Sequence, residues 1–144
     1  MIYLTRRERF NAAHKLFRED WSAEKNREVF GKCANPNWHG HNYELFVTVK
    51  GNVNKETGYF VNLKDLSAII CTHVTDKLDH KNINLDVDFM KNKIASCENL
   101  SIAIWNEMEG HINKLGCKLH CVKVVETENN FVEMFNLDSD TSKQ

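Results

Sequence analysis

Apolar and polar positions alternate near both ends of the chain and follow helical spacing through its middle. Ile2, Leu4, Phe10, Ala12 and His14 share one alternating register, which predicts a strand over 2–14. The polar stretch 21–28 reads as a short exposed helix. Residues 30–39 contain a glycine, asparagines and the only proline, Pro36, and read as a loop. Alternation resumes over 41–50, with Tyr43, Leu45, Val47 and Val49 on one face. A turn at 52–58 leads to a short apolar piece at 59–61. Leu63, Leu66, Ile69, Ile70, Val74 and Leu78 lie at helical spacing and predict an amphipathic helix over 64–77. Residues 79–88 form a polar loop. A second helix is predicted over 98–115, with Leu100, Ile104, Met108, Ile112 and Leu115 as its stripe and Gly116 placed to end it. Residues 118–127 read as a strand, and Asn129-Asn130 turns the chain into a last strand over 131–135.

The order is therefore strand, strand, helix, helix, strand, strand. Strands grouped apart from helices predict an α+β domain, a four-stranded antiparallel sheet with two helices on one face. A chain of 144 residues fits one such domain, assigned to 1–137, with a polar tail over 138–144.

Composition removes several functional classes. A formal net charge of -1 gives no general pull toward nucleic acid or an anionic membrane. No apolar run approaches the ~20 residues of a membrane span. Cys33, Cys71, Cys97, Cys117 and Cys121 form an odd, irregular set without an N-terminal signal segment, which points to free thiols in a cytoplasmic protein.

Candidate chemistry centres on His39-Gly40-His41. Side chains at i and i+2 of a strand face the same way, so the two imidazoles can converge on one ion. Gly40 removes bulk between them. His14, at the end of the first strand, falls beside them if the two strands pair as a hairpin. Three neutral nitrogens suit zinc and leave a fourth coordination position for water or substrate, the mark of a catalytic site. Surface histidines that happen to sit together would give the same spacing.

Five pieces of the sequence carry these histidines and the residues that accompany them. They are Phe10-Asn11-Ala12-Ala13-His14, the run from Phe30 through Gly31-Lys32-Cys33 to His39-Gly40-His41-Asn42-Tyr43, Leu78-Asp79-His80-Lys81-Asn82, Glu98-Asn99, and Val125-Glu126-Thr127-Glu128-Asn129-Asn130. Together, and in this order, they resemble the 6-pyruvoyl tetrahydropterin synthase family. The resemblance implies zinc on His14, His39 and His41, with Mg2+ supporting activity. It implies conversion of 7,8-dihydroneopterin triphosphate to 6-pyruvoyl tetrahydropterin with loss of triphosphate, in tetrahydrobiopterin synthesis. It also implies the T-fold (tunnelling fold), assembled as a homohexamer of two stacked trimers with active sites at subunit interfaces.

By the same resemblance Cys33 is the catalytic base, and Asp79 and His80, from a neighbouring subunit, relay protons. Glu126 anchors the pterin, whose amino and ring N–H groups form a planar donor edge that a carboxylate can meet with two hydrogen bonds. Cys97 and Glu98 are further pterin contacts. The sequence departs from the animal enzymes at Ser96-Cys97, where they carry two threonines, which puts pterin affinity in doubt rather than reaction type. His73, His111 and His120 match no catalytic position.

Two alternatives remain at this point. The 6-carboxytetrahydropterin synthases of queuosine biosynthesis share the zinc ligands and the Asp-His pair, but typically have a shorter interval between cysteine and His-Gly-His. Here five residues, Ala34 to Trp38, intervene. A non-catalytic zinc or pterin binder would need only the histidines and Glu126.

Overall fold

The long first strand pairs with the second over its whole length. A computed structural model describes residues 1–136, so the tail assigned to 138–144 lies outside the described residues. β1 (Ile2–His14) and β2 (His39–Gly51) run antiparallel, in a register that begins at Ile2↔Gly51 and closes at His14↔His39. β2 thus starts at His39, two residues before the expected His41, because His14 supplies a partner for it.

The connection between these strands is long and partly helical. The expected helix at 21–28 is α1 (Ala23–Phe30), whose first turn is capped by Ser22 Oγ accepting from Lys25 N–H at 3.1 Å. Gly31, at φ 57, ends it. The expected loop then tightens into a 3-10 turn over Gly31–Ala34.

A continuous helical run follows, made of α2 (Leu63–Ile70), a wider π-type turn over Cys71–Thr75, and α3 (Asp76–Leu78). The segment expected as a plain loop contains β3 (Lys81–Asn82), α4 (Ile83–Asp86) and a 3-10 turn at Asp88–Met90. β3 pairs parallel to β1 at Ala12↔Lys81 and Ala13↔Asn82. The sheet is therefore five-stranded and mixed, in the order β3-β1-β2-β4-β5, and not the four-stranded antiparallel sheet expected. A two-residue strand is too short to show any hydrophobic period. It is fixed instead by long-range hydrogen bonds to Asn11: His80 N–H donates to Asn11 O at 2.6 Å, and Asn11 N–H donates to Asp79 Oδ1 at 2.8 Å.

α5 (Cys97–Asn113) is capped by Ser96, whose Oγ accepts from Asn99 N–H at 3.2 Å. β4 (Lys118–Thr127) and β5 (Asn130–Phe135) complete the antiparallel part of the sheet. One sheet face carries Phe10, Tyr43, Leu45, Val47, Val122 and Val124, all buried against Leu66, Ile70, Leu100, Ile104, Met108 and Ile112 of α2 and α5. Each such side chain contributes roughly 1.5–3 kcal/mol on leaving water. The opposite face carries polar and charged pairs, with Thr5 and Thr48 hydroxyls 2.8 Å apart and Arg7 3.3 Å from Glu44. Among the described residues, no helix is long and apolar enough to cross a membrane.

Candidate metal centre and adjoining cavity

The closing register of the β1–β2 hairpin brings His14 beside His39, and alternation adds His41 on the same face. One ligand nitrogen from each of these three residues lies within 4.8 Å of the others. Among the described residues this is the only such group of histidine, cysteine or carboxylate ligands. His14 is buried at 2 % exposure, so its orientation is set by the protein. Its Nδ1 is 2.7 Å from the carbonyl oxygen of Ala95. A carbonyl only accepts, so Nδ1 carries the proton and Nε2 is left with its lone pair toward the other two rings.

The donor set fits a metal ion. His39 Nδ1 and His41 Nε2 are buried without a hydrogen-bond partner. Such atoms are costly unless something binds their lone pairs. Burial lowers the pKa of both His39 and His41, and neighbouring imidazoles lower it further, which favours the neutral, metal-binding form. Three histidines and an open side suit a catalytic transition-metal site.

Glu126, near the end of β4, leans over this group. Its Oε1 lies 3.3 Å from His14 Nε2 and 3.5 Å from His41 Nε2. Tyr43 was not singled out from the sequence as a site residue. It follows His39 and His41 on the same strand face, and its hydroxyl lies 3.4 Å from His14 Nε2. Burial raises its pKa, so it remains a neutral phenol.

Cys33 sits in the 3-10 turn before β2 and is exposed. Its carbonyl accepts from Leu16 N–H at 2.8 Å, which ties the turn to the chain just beyond His14. Cys33, His14, Cys97, Glu98 and Glu126 line one cavity of about 510 Å3, with Phe131 on its wall. Cys97 is the first residue of α5, and its thiol lies 3.7 Å from the Val124 carbonyl. Burial, then the negative charge of Glu126, pushes that thiol up to about 12.

Asp79 and His80 are held apart from this cavity. His80 lines a separate concavity with Asn11, Gly40, His41 and Asn82. Among the described residues, no hydrogen bond or ion pair joins His80 to Cys33. The pair is nevertheless ordered internally. Asp79 Oδ2 accepts from His80 Nδ1–H at 2.9 Å while Oδ1 accepts from Asn11 N–H, leaving His80 Nε2 outward. The Asn11 hydrogen bond, then that from His80, lowers the Asp79 pKa.

Two of these partners had no signal in the sequence. The Ala95 carbonyl belongs to the backbone, which no residue type reports. Asn11 acts through its main chain as well. Tyr43 was accessible in principle, because it continues the histidines' alternation.

Comparison with known proteins agrees with this architecture. A family model described as 6-pyruvoyl tetrahydropterin synthase matches residues 3–136. A protein of Dictyostelium discoideum named 6-pyruvoyl tetrahydrobiopterin synthase is 44% identical over 131 residues, covering 91% of this chain and 93% of its own. The structure of Caenorhabditis elegans 6-pyruvoyl tetrahydropterin synthase superposes with a TM-score of 0.87 at 32% identity, covering 94% of this chain and 95% of that one. A 6-carboxy-5,6,7,8-tetrahydropterin synthase of Bacillus subtilis is more distant, at 28% identity over 105 residues, 71% of this chain and 68% of its own. The chain belongs to the 6-pyruvoyl tetrahydropterin synthase family.

Proposed function

We propose that this protein is a zinc-dependent lyase that converts 7,8-dihydroneopterin triphosphate to 6-pyruvoyl tetrahydropterin and triphosphate. The observation that carries this reading is the convergence of His14, His39 and His41 beside a single cavity that also exposes Cys33 and Glu126. His14, His39 and His41 would hold the zinc ion, which when bound would supply Lewis-acid polarisation of the substrate's side-chain oxygens.

The chain's own residues do the rest. Glu126 is ionised, and its two oxygens accept hydrogen bonds from the amino and ring N–H groups of the pterin. Cys97 and Glu98 flank that anchor on the cavity wall. The Cys33 sulfur, as thiolate, takes a carbon-bound proton from the substrate's side chain. The hydrogen returns elsewhere on the same molecule and the phosphate chain leaves with the C–O bonding pair, so no external redox partner is required. Asp79 orients His80, and His80 Nε2 exchanges protons with Cys33 of a neighbouring subunit.

That last step needs a second subunit, because His80 and Cys33 of one chain open on different hollows, and a homohexamer would provide it. Phe131 and Phe135 on the edge strand β5, 52% and 48% exposed, support burial against another subunit. Mg2+ would act on the phosphate chain. Only the histidine group assembles three ligands among the described residues, and Mg2+ commonly binds through substrate phosphates. Five unpaired cysteines support a cytoplasmic location.

The 6-carboxytetrahydropterin reaction is the second reading. It is disfavoured by the five residues that separate Cys33 from His39 and by the closer match to the 6-pyruvoyl enzymes. Product identification from the zinc-loaded protein separates the two, since only the rival reaction releases acetaldehyde.

A further inference from the structure

A second hollow, of about 720 Å3, lies beside the metal centre and has no role in the scheme above. Lys15, Arg18, Lys91 and Lys93 line it, with Glu19 and Asp20 as the only carboxylates. Arg18 and Asp20 neutralise one another through contacts of 2.8 and 2.6 Å. Three ammonium groups therefore remain against Glu19. Lys93 Nζ donates to the Phe89 carbonyl at 2.7 Å, which leaves its charge uncompensated.

Lys15 is held in place without being neutralised. Its Nζ lies 4.3 Å from the centre of the Trp38 ring and 4.7 Å from that of Phe17. Aromatic faces position a cation but contribute no formal charge. Trp38 reaches this position with φ 66, a left-handed conformation costly for a bulky residue. Asn84 fixes the Lys15 backbone on both sides, accepting from its N–H at 3.1 Å and donating to its carbonyl at 3.0 Å.

The walls of this groove are also the supports of the metal ligands. Lys15 follows His14, Trp38 precedes His39, and Ile94 precedes Ala95, whose carbonyl holds His14. Lys15 and Phe17 face the groove, while Leu16 between them lines the Cys33–Glu126 cavity. A single stretch of chain thus separates the two hollows.

We propose that this groove binds a polyphosphate chain and receives the triphosphate end of the substrate, an inference that rests on the pterin-triphosphate reading above. A ligand with its ring on Glu126 and its side chain at the histidines would extend its anionic end past Leu16 toward Lys15 and Lys91. Charge-assisted hydrogen bonds to phosphate oxygens would then supply binding in a region remote from the pterin.

Inorganic triphosphate is the probe, applied to the zinc-loaded protein. Acetylation of lysines, mapped by peptide mass spectrometry, should fall at Lys15 and Lys91 when triphosphate is present and stay unchanged at Lys55, an exposed turn residue. The double substitution Lys15→Gln with Lys91→Gln should weaken triphosphate binding by about tenfold or more, with zinc content and affinity for unphosphorylated neopterin unchanged. Lys15→Arg should restore most of the Lys15 contribution. Lack of protection in the wild-type protein would overturn the proposal, and so would unchanged triphosphate affinity in the folded double variant. A protein that protects Lys15 yet forms no pterin product would count against the proposed reaction and leave the groove standing.

Discussion

The imidazole of His14 donates from Nδ1 to the carbonyl of Ala95 across 2.7 Å, a bond between the end of β1 and the residue just before the cap of α5. It joins the two layers of the fold and at the same time fixes which nitrogen His14 offers to a metal. His14→Ala should therefore reduce zinc affinity by about a hundredfold or more, since second-shell changes alone cost 10–100-fold. Zinc content after dialysis, measured by atomic emission, checks this. Chelation of the wild-type protein should lower its melting temperature, because a ligand bound only by the folded state stabilises it. The melting temperature of His14→Ala should not respond to added zinc.

Cys33 and Cys97 share a cavity but differ in exposure. Cys33 is exposed, whereas Cys97 is partly buried with its thiol pushed up to about 12. Iodoacetamide at neutral pH should label Cys33 and spare Cys97, with mass spectrometry as the readout. The raised value means that the folded protein holds the Cys97 proton longer than the unfolded chain does. This group's contribution to stability is then constant below about pH 8.5 and declines as the pH rises toward 12. Cys33→Ala should keep its zinc and lose roughly 10²–10⁴-fold in turnover. Unchanged turnover would exclude Cys33 as the base.

Glu126 faces both the histidines and the cavity, so its two proposed tasks can be separated. Glu126→Ala should bind zinc as before and bind neopterin about tenfold more weakly or worse, having lost a charge-assisted hydrogen-bond pair. Calorimetric titration with neopterin provides the test. Lost zinc with unaltered neopterin affinity would show that Glu126 serves the metal and not the pterin.

The separation of His80 from Cys33 predicts complementation between subunits. Cys33→Ala and His80→Ala should each be inactive alone. Dissociated, mixed and reassembled in equal amounts, they should regain roughly a quarter of wild-type activity, as random assembly of symmetric subunits would give. Mixtures as inactive as the parents would show that each chain completes its own site.

The parts of this structure that could be read from the sequence are those with a long period or a short spacing. β1 and β2 alternate over many residues, so both strands could be read from pattern, and the meeting of His14 with His39 was expected if they paired, as they do. The α2–α3 and α5 stripes were equally plain. β3 was not, because Lys81 and Asn82 gain strand geometry only through Ala12 and Ala13. The π-type turn at Cys71–Thr75 left no trace in a stripe that reads as ordinary helix. At the site, side chains announced themselves and the main chain did not. The Ala95 carbonyl that orients His14 and the Asn11 amide that pins Asp79 are contacts any residue could make.

The histidine centre, Cys33 and Glu126 together should perform elimination on a pterin triphosphate. Zinc-loaded protein incubated with 7,8-dihydroneopterin triphosphate and Mg2+, followed by product identification, tests it most directly. The expected products are 6-pyruvoyl tetrahydropterin and triphosphate in equal amounts, without acetaldehyde. Acetaldehyde release, or full recovery of the substrate by a protein shown to hold zinc, would contradict it.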